Sequence, residues 1–203
     1  MDPRRNWRHA VVKLYVEGGG DTNLLRTACR RGFSTFLAKA GLRGHMPRIV
    51  ACGSRRDAYR AFCIALEDGE DAMLLIDSES PVAPAHQTGK SNGWRPWDHL
   101  AQRQDDQWQR PVNAADAQCH LMVECMEAWM LADQPVLKTY FGRNFRVTAL
   151  PAQTHSIETI PKRQTHKSLA DSTKDCWPKG PYAKGSHSFA ILALIRTLKA
   201  ETP

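Results

Sequence analysis

Short apolar runs alternate with amphipathic stretches over the first part of the chain. AVVKLYV (10–16) is β-branched and aromatic, and predicts a buried strand. A GGGD turn follows. TNLLRTACRRGFSTFLAKAG (22–41) then places Leu24, Leu25, Ala28, Phe33, Phe36 and Leu37 at roughly helical spacing and predicts a helix that stops at Gly41. MPRIVACG (46–53) predicts a second strand. SRRDAYRAFCIALEDG (54–69) predicts a second helix, with Ser54 as its N-cap and Gly69 as its end signal. DAMLLIDSES (71–80) predicts a third strand, apolar from Ala72 to Ile76 and closed by acids. This β-α-β-α-β alternation predicts an α/β fold with a mostly parallel central sheet covered by helices on both faces. In such sheets the functional crevice lies at the carboxyl ends of the strands. Glu17 and Asp77 are the first carboxylates after their strands, so that rule places them side by side.

Residues 81–114 change character. They are rich in Pro, Gln and Trp, and predict a surface excursion with one short helix near WDHLAQR, packed through Trp94, Trp97 and Trp108. QCHLMVECMEAWMLAD (118–133) predicts a strand over His120–Val123 and a helix over Glu124–Ala132. ADQPVLKTYFG predicts a turn and a short helix. Residues 143–185 are polar, with one helix expected in IETIPKRQTHKSLADSTKDC, and SHSFAILALIRTLKA (186–200) predicts a closing amphipathic helix. The whole reads as a single domain over 1–203, with 134–203 a loop-rich and helical extension packed on it. No apolar run nears the roughly 18 residues of a membrane span. The start, MDPRRNWRHAVVKLYV, lacks the apolar stretch of a signal peptide, so a cytoplasmic location is expected. The six cysteines form no C-x-x-C pair and read as free, mostly buried thiols.

Four acids stand out by position: Glu17 and Asp21 around the glycine turn, and Asp77 and Glu79 after the third strand. Acids two apart on an extended segment face the same side. Clustered carboxylates raise one another's pKa unless a cation neutralises them, and hard oxygen ligands suit Mg²⁺ or Mn²⁺. Each pair taken alone also reads as ordinary loop or helix-cap residues, with Asp21 a reasonable cap. Glu124 and Glu127 fall three apart in a very apolar predicted helix; they face a metal or an arginine if buried, and solvent if not.

E-G-G-G-D at 17–21 with D-S-E at 77–79 resembles the Toprim fold, the catalytic domain of topoisomerases, primases and OLD-type nucleases. More narrowly, VEGGGD, MPRIVACG, LLIDSE, CHLMVECMEAWMLAD and KGSHSF resemble, in order, the bacterial family DUF4276, a Toprim-like group. The resemblance implies metal-dependent phosphodiester hydrolysis. By it, Glu17 is a metal ligand or acid–base group, Asp77 and Glu79 hold Mg²⁺ or Mn²⁺, and Asp21 serves a second metal. Glu124 and Glu127 are further candidate ligands. Glu79 stands where the family pattern has Asp, which keeps a carboxylate but changes its reach. The resemblance also implies a downstream lysine that stabilises developing phosphate charge; Lys184 is the candidate, with His187 beside it. His120 is a weaker candidate and reads more readily as a core histidine.

The net charge of +7 suits a polyanionic partner. Arg26, Arg30 and Arg31 on the first helix, and Arg55, Arg56 and Arg60 on the second, are the candidate nucleic-acid-binding set. The tryptophans either stack on bases or pack on the surface. The chain has no G-x-x-x-x-G-K-[ST] loop, so an ABC- or AAA-type ATPase partner of the kind that accompanies Toprim relatives in anti-phage defence would be a separate chain. A homo-oligomer is a further partner expectation. The competing readings are a module that binds nucleic acid or a partner ATPase without catalysis, and a phosphohydrolase acting on a small substrate.

Overall fold

The computed structural model describes residues 11–86, 93–153 and 156–196. The calls on the N-terminal stretch before residue 11 and on the last predicted helix beyond residue 196 lie outside the described residues.

Four parallel strands form the centre, in the order β2 (Arg48–Ala51), β1 (Lys13–Val16), β3 (Ala72–Asp77) and β4 (Cys119–Met122). The strands are short and mostly apolar; β1 and β3 at the centre are the most buried, as strands between helical layers are, while the edge strands β2 and β4 each carry one exposed residue, Arg48 and His120. Leu14, Val16, Ile49, Leu75 and Met122 point to one side. There they meet α1 (Asn23–Leu37), α4 (Ala128–Leu131), α5 (Gln134–Phe141), α6 (Lys162–Thr173) and α7 (Ser188–Leu194). Tyr15, Leu74, Ile76 and Leu121 point to the other, against α2 (Arg55–Glu67) and α3 (Pro96–Gln102). This α/β arrangement, with an all-parallel sheet flanked on both faces, fits the expected Toprim-like fold. Among the described residues no helix is long and apolar enough to cross a membrane.

The predicted caps are partly realised. The Ser54 side chain accepts from the Asp57 N–H at the start of α2. At α1 the cap is Thr22, which accepts from the Leu25 N–H, and not Asp21. The predicted helix over Glu124–Ala132 is reduced to Ala128–Leu131. Glu124 adopts a left-handed backbone, φ +54°, and its N–H is taken by the Ser78 hydroxyl, so a turn occupies 123–127 instead. The excursion packs through its tryptophans onto α2 and the sheet. Trp97 is buried and donates to the Ala115 carbonyl, Trp94 donates to that of Cys119, and Trp108 stacks on Tyr59 at 4.5 Å. Stacking on bases would require these side chains free.

Helix α7 closes the sheet face that α1 begins to cover. Phe33 and Phe189 meet with ring centroids 6.4 Å apart. Lys39 donates to the carbonyls of Ala193, Leu194 and Ile195, covering the orphan acceptors at the end of α7. Gly32 is where the helices approach most closely: a Cβ there would lie 2.8 Å from the Phe189 carbonyl oxygen. Helix propensity alone favours alanine over glycine by about 1 kcal/mol. A clash with backbone costs about 1–3 kcal/mol. Gly32→Ala should therefore destabilise the protein by about 1 kcal/mol net in urea unfolding, and a stabilised variant would contradict this packing.

Candidate functional site

The carboxyl ends of β1 and β3 bring together two acids, Asp77 buried and Glu17 half-buried. Glu17 follows β1 directly, and its Oε2 accepts the backbone N–H of Asp77 at 3.1 Å. Asp77 ends β3 and is 2% exposed. Its Oδ1 accepts from the Met126 N–H at 2.8 Å. Glu79, two residues on, turns its carboxylate back through a left-handed backbone, φ +65°. One carboxylate oxygen from each of Glu17, Asp77 and Glu79 lies within 4.8 Å of the others.

The glycine turn makes room for this cluster. Gly18, Gly19 and Gly20 all have positive φ, which three consecutive residues with side chains would adopt only under strain. Gly18 also exchanges a pair of 2.8 Å backbone hydrogen bonds with Gly53, tying the turn to the end of β2. A Cβ on Gly18 would lie 3.0 Å from the Phe189 ring. The result is a cleft of about 360 Å³ lined by Glu17, the three glycines, Gly53, Asp77, Glu127 and Lys184, with Leu25, Met122, Met126 and Phe189 as its apolar wall.

Lysine supplies the countercharge, and the principal lysine stands in a stretch of sequence with no motif to mark it. Lys162, at the start of α6, places Nζ 2.6 Å from Glu79 Oε1 and 3.3 Å from Asp77 Oδ2. Its backbone N–H donates to Glu124 Oε2 at 2.5 Å. Lys184 sits 4.0 Å from both Asp77 Oδ2 and Glu127 Oε1 and is 55% exposed. Burial pushes the Lys162 ammonium down, but Asp77 and Glu79 outweigh that and hold its pKa above the ordinary value. Burial raises Asp77 against the pull of Lys162. Glu17 is raised furthest, from 4.5 to about 8, first by burial and then by the Asp77 charge, with the Asp77 N–H and Arg55 opposing.

The other expected residues are placed as follows. Asp21 is exposed beyond the turn and belongs neither to the cluster nor to the cleft lining. Glu124 and Glu127 both point inward, but neither joins the Glu17 cluster among the described residues. Glu124 is held by the Lys162 N–H, and Glu127 accepts from the Tyr182 hydroxyl at 3.1 Å. His187 turns away from the acids: its Nδ1 accepts the Ala183 N–H, and its ring packs edge-on against Phe141 and Tyr140. His120 is exposed on edge strand β4 and is no core histidine. Arg55 is not a surface contact. Its Nε donates to the Asp77 carbonyl at 3.1 Å and lies 3.6 Å from Glu17 Oε2, while Nη1 pairs with Asp106 at 2.5 Å. Arg30, Arg31, Arg56 and Arg60 are exposed; Arg26 is half-buried and donates to the Gly20 carbonyl at 3.3 Å.

A family model described as a domain of unknown function, DUF4276, matches residues 16–201. The chain belongs to the DUF4276 family. No curated protein and no solved structure matches it. Every acid and lysine of the site in this DUF4276 chain falls within the matched span.

The raised Glu17 pKa has a definite sign in folding. The folded state keeps a proton that the unfolded chain releases near pH 4.5, so stability falls as pH rises from about 4.5 to about 8. At about 1.4 kcal/mol per pH unit this amounts to a few kcal/mol. In metal-free buffer Glu17→Gln should be more stable than the parent near pH 8 and closely matched to it near pH 4.5. Urea unfolding at both pH values measures this. A difference that does not change with pH would contradict it.

Proposed function

We propose that this DUF4276 chain is a metal-dependent nuclease of Toprim type that hydrolyses phosphodiester bonds in DNA or RNA. The observation that carries the reading is the trio Glu17, Asp77 and Glu79 gathered at the strand ends, with Glu17 and Asp77 lining a glycine-walled cleft. The donor set is all hard oxygen, so it suits Mg²⁺ or Mn²⁺. Bound there, the ion would polarise a phosphoryl oxygen and lower the pKa of a water.

The chain's own residues supply the rest. Glu17 is the candidate ligand or acid–base group: without a cation its raised pKa keeps a proton on it near neutral pH, and a bound ion would displace that proton. Asp77 is oriented by the Met126 N–H, so one oxygen is fixed while the other faces the lysines. Lys184 is exposed enough to meet a substrate phosphate and close enough to the acids to act where charge develops. The exposed arginines of α1 and α2, with the net charge of +7, favour a nucleic-acid backbone over a small substrate. A cytoplasmic setting in anti-phage defence beside a separate ABC- or AAA-type ATPase belongs to the same proposal.

One observation favours a second reading. Lys162 already bridges Asp77 and Glu79, so the cluster is partly neutralised without a cation, as a module that only binds nucleic acid or a partner would permit.

Supercoiled plasmid and transfer RNA incubated with Mg²⁺ or Mn²⁺, against EDTA, distinguish the two. The parent should cleave at least one of them, and Glu17→Gln and Asp77→Asn should each lose about 100-fold or more. Variants that cleave like the parent would overturn the site. A parent that binds nucleic acid but cleaves none would favour the binding module.

A further inference from the structure

The turn after β4 carries a second set of ligating groups. Cys125, Glu127 and His166 offer a sulfur, a carboxylate oxygen and a ring nitrogen, all within 4.8 Å of one another. Cys125 and Glu127 have no exposure, and His166 is half-buried. The first two stand two apart in the turn that replaces the predicted helix. His166 comes from α6, one turn beyond Lys162, so one face of that helix serves both clusters.

An independent observation points to a missing partner. Glu127 is wholly buried, and only one of its oxygens is satisfied. Oε1 accepts from Tyr182, whereas Oε2 is buried with no hydrogen-bond partner. The Tyr182 hydroxyl is shared with Ser188, and the Lys184 ammonium, at 4.0 Å, is beyond hydrogen-bond distance. A buried carboxylate in that state is strongly disfavoured unless something cationic meets it.

We infer that Cys125, Glu127 and His166 bind one borderline divalent cation of the zinc type, at a site distinct from the Glu17–Asp77–Glu79 cluster. The donor chemistry selects the ion. Thiolate and imidazole favour Zn²⁺ or Co²⁺, whereas Mg²⁺ prefers the all-oxygen cluster next to it. Metal–ligand bonds of about 2.0–2.3 Å in a tetrahedral site put donor atoms roughly 3.3–3.8 Å apart, which is within the reach of atoms that already lie inside 4.8 Å of one another. Binding releases the Cys125 thiol proton to solvent and leaves the thiolate on the ion. Three protein ligands leave a fourth position open, and Glu127 also lines the cleft, beside Lys184. This inference does not rest on the nuclease reading, because it concerns different ligands and a different ion.

The test is optical titration of the EDTA-stripped full chain with Co²⁺. The parent should show a near-ultraviolet thiolate-to-cobalt charge-transfer band that saturates at one equivalent, together with strong visible bands of a four-coordinate ion. Cys125→Ser should abolish the ultraviolet band, and His166→Gln should weaken Co²⁺ binding by about tenfold or more. Glu17→Gln should retain both features. Absence of the band in the parent, or its survival in Cys125→Ser, would overturn the inference. If Cys125→Ser fails to fold, the half-buried His166 position decides: parental affinity in His166→Gln overturns it, and weakened affinity with an unchanged melting temperature in EDTA supports it.

Discussion

Two carboxyl groups at the ends of adjacent parallel strands, one buried and one half-buried, with a third beside them, set the terms for the surrounding structure. The Glu17 carboxylate reaches the Asp77 backbone N–H because β1 and β3 pair in register, Val16 opposite Leu75, so the ends of the two strands emerge together. Their charges cannot coexist there without compensation. The chain answers in three ways. Glu17 holds a proton up to about pH 8, Lys162 reaches back across the sheet end to Asp77 and Glu79, and Arg55 turns inward beneath Glu17. Backbone amides of Asp77 and Met126 complete the set.

This compensation links the site to segments far along the chain. Helix α6 contributes Lys162 to the first cluster and His166 to the second, and its opening N–H holds Glu124. Helix α7 supplies Ser188, which shares the Tyr182 hydroxyl with Glu127, and Phe189, which packs against the glycine turn. The C-terminal helices therefore act on the site in two ways: they bury the outer sheet face and bring the cations that the strand-end acids require.

Much of the sheet was legible in the sequence because its signals are local. Strand and helix periods alternate cleanly over residues 13–77, Ser54 caps as its type predicts, and the strand-end rule was enough to pair Glu17 with Asp77. Failures came where tertiary contacts outweigh local pattern. Glu124 sits in an apolar, helix-like run, yet the Ser78 hydroxyl captures its N–H and a left-handed turn results. Arg55 and Arg56 look equivalent as neighbours, but about 100° of helical rotation sends one inward to Asp77 and Asp106 and leaves the other exposed. Lys162 lies 85 residues from Asp77, in a polar stretch with no motif to single it out. The pairing of Cys125 with His166 is equally invisible to spacing, since no cysteine–histidine pattern survives so long an interval.

On the proposed reading, Glu17, Asp77 and Glu79 form a cation site held partly protonated until an ion arrives. Calorimetric titration of the EDTA-stripped protein with Mn²⁺ near pH 7, repeated in buffers of different ionisation enthalpy, measures this. Binding at this site should release on the order of one proton per ion, because Glu17 must ionise to ligate. Asp77→Asn should lose that binding. Mn²⁺ binding without proton release, or undiminished in Asp77→Asn, would contradict that reading.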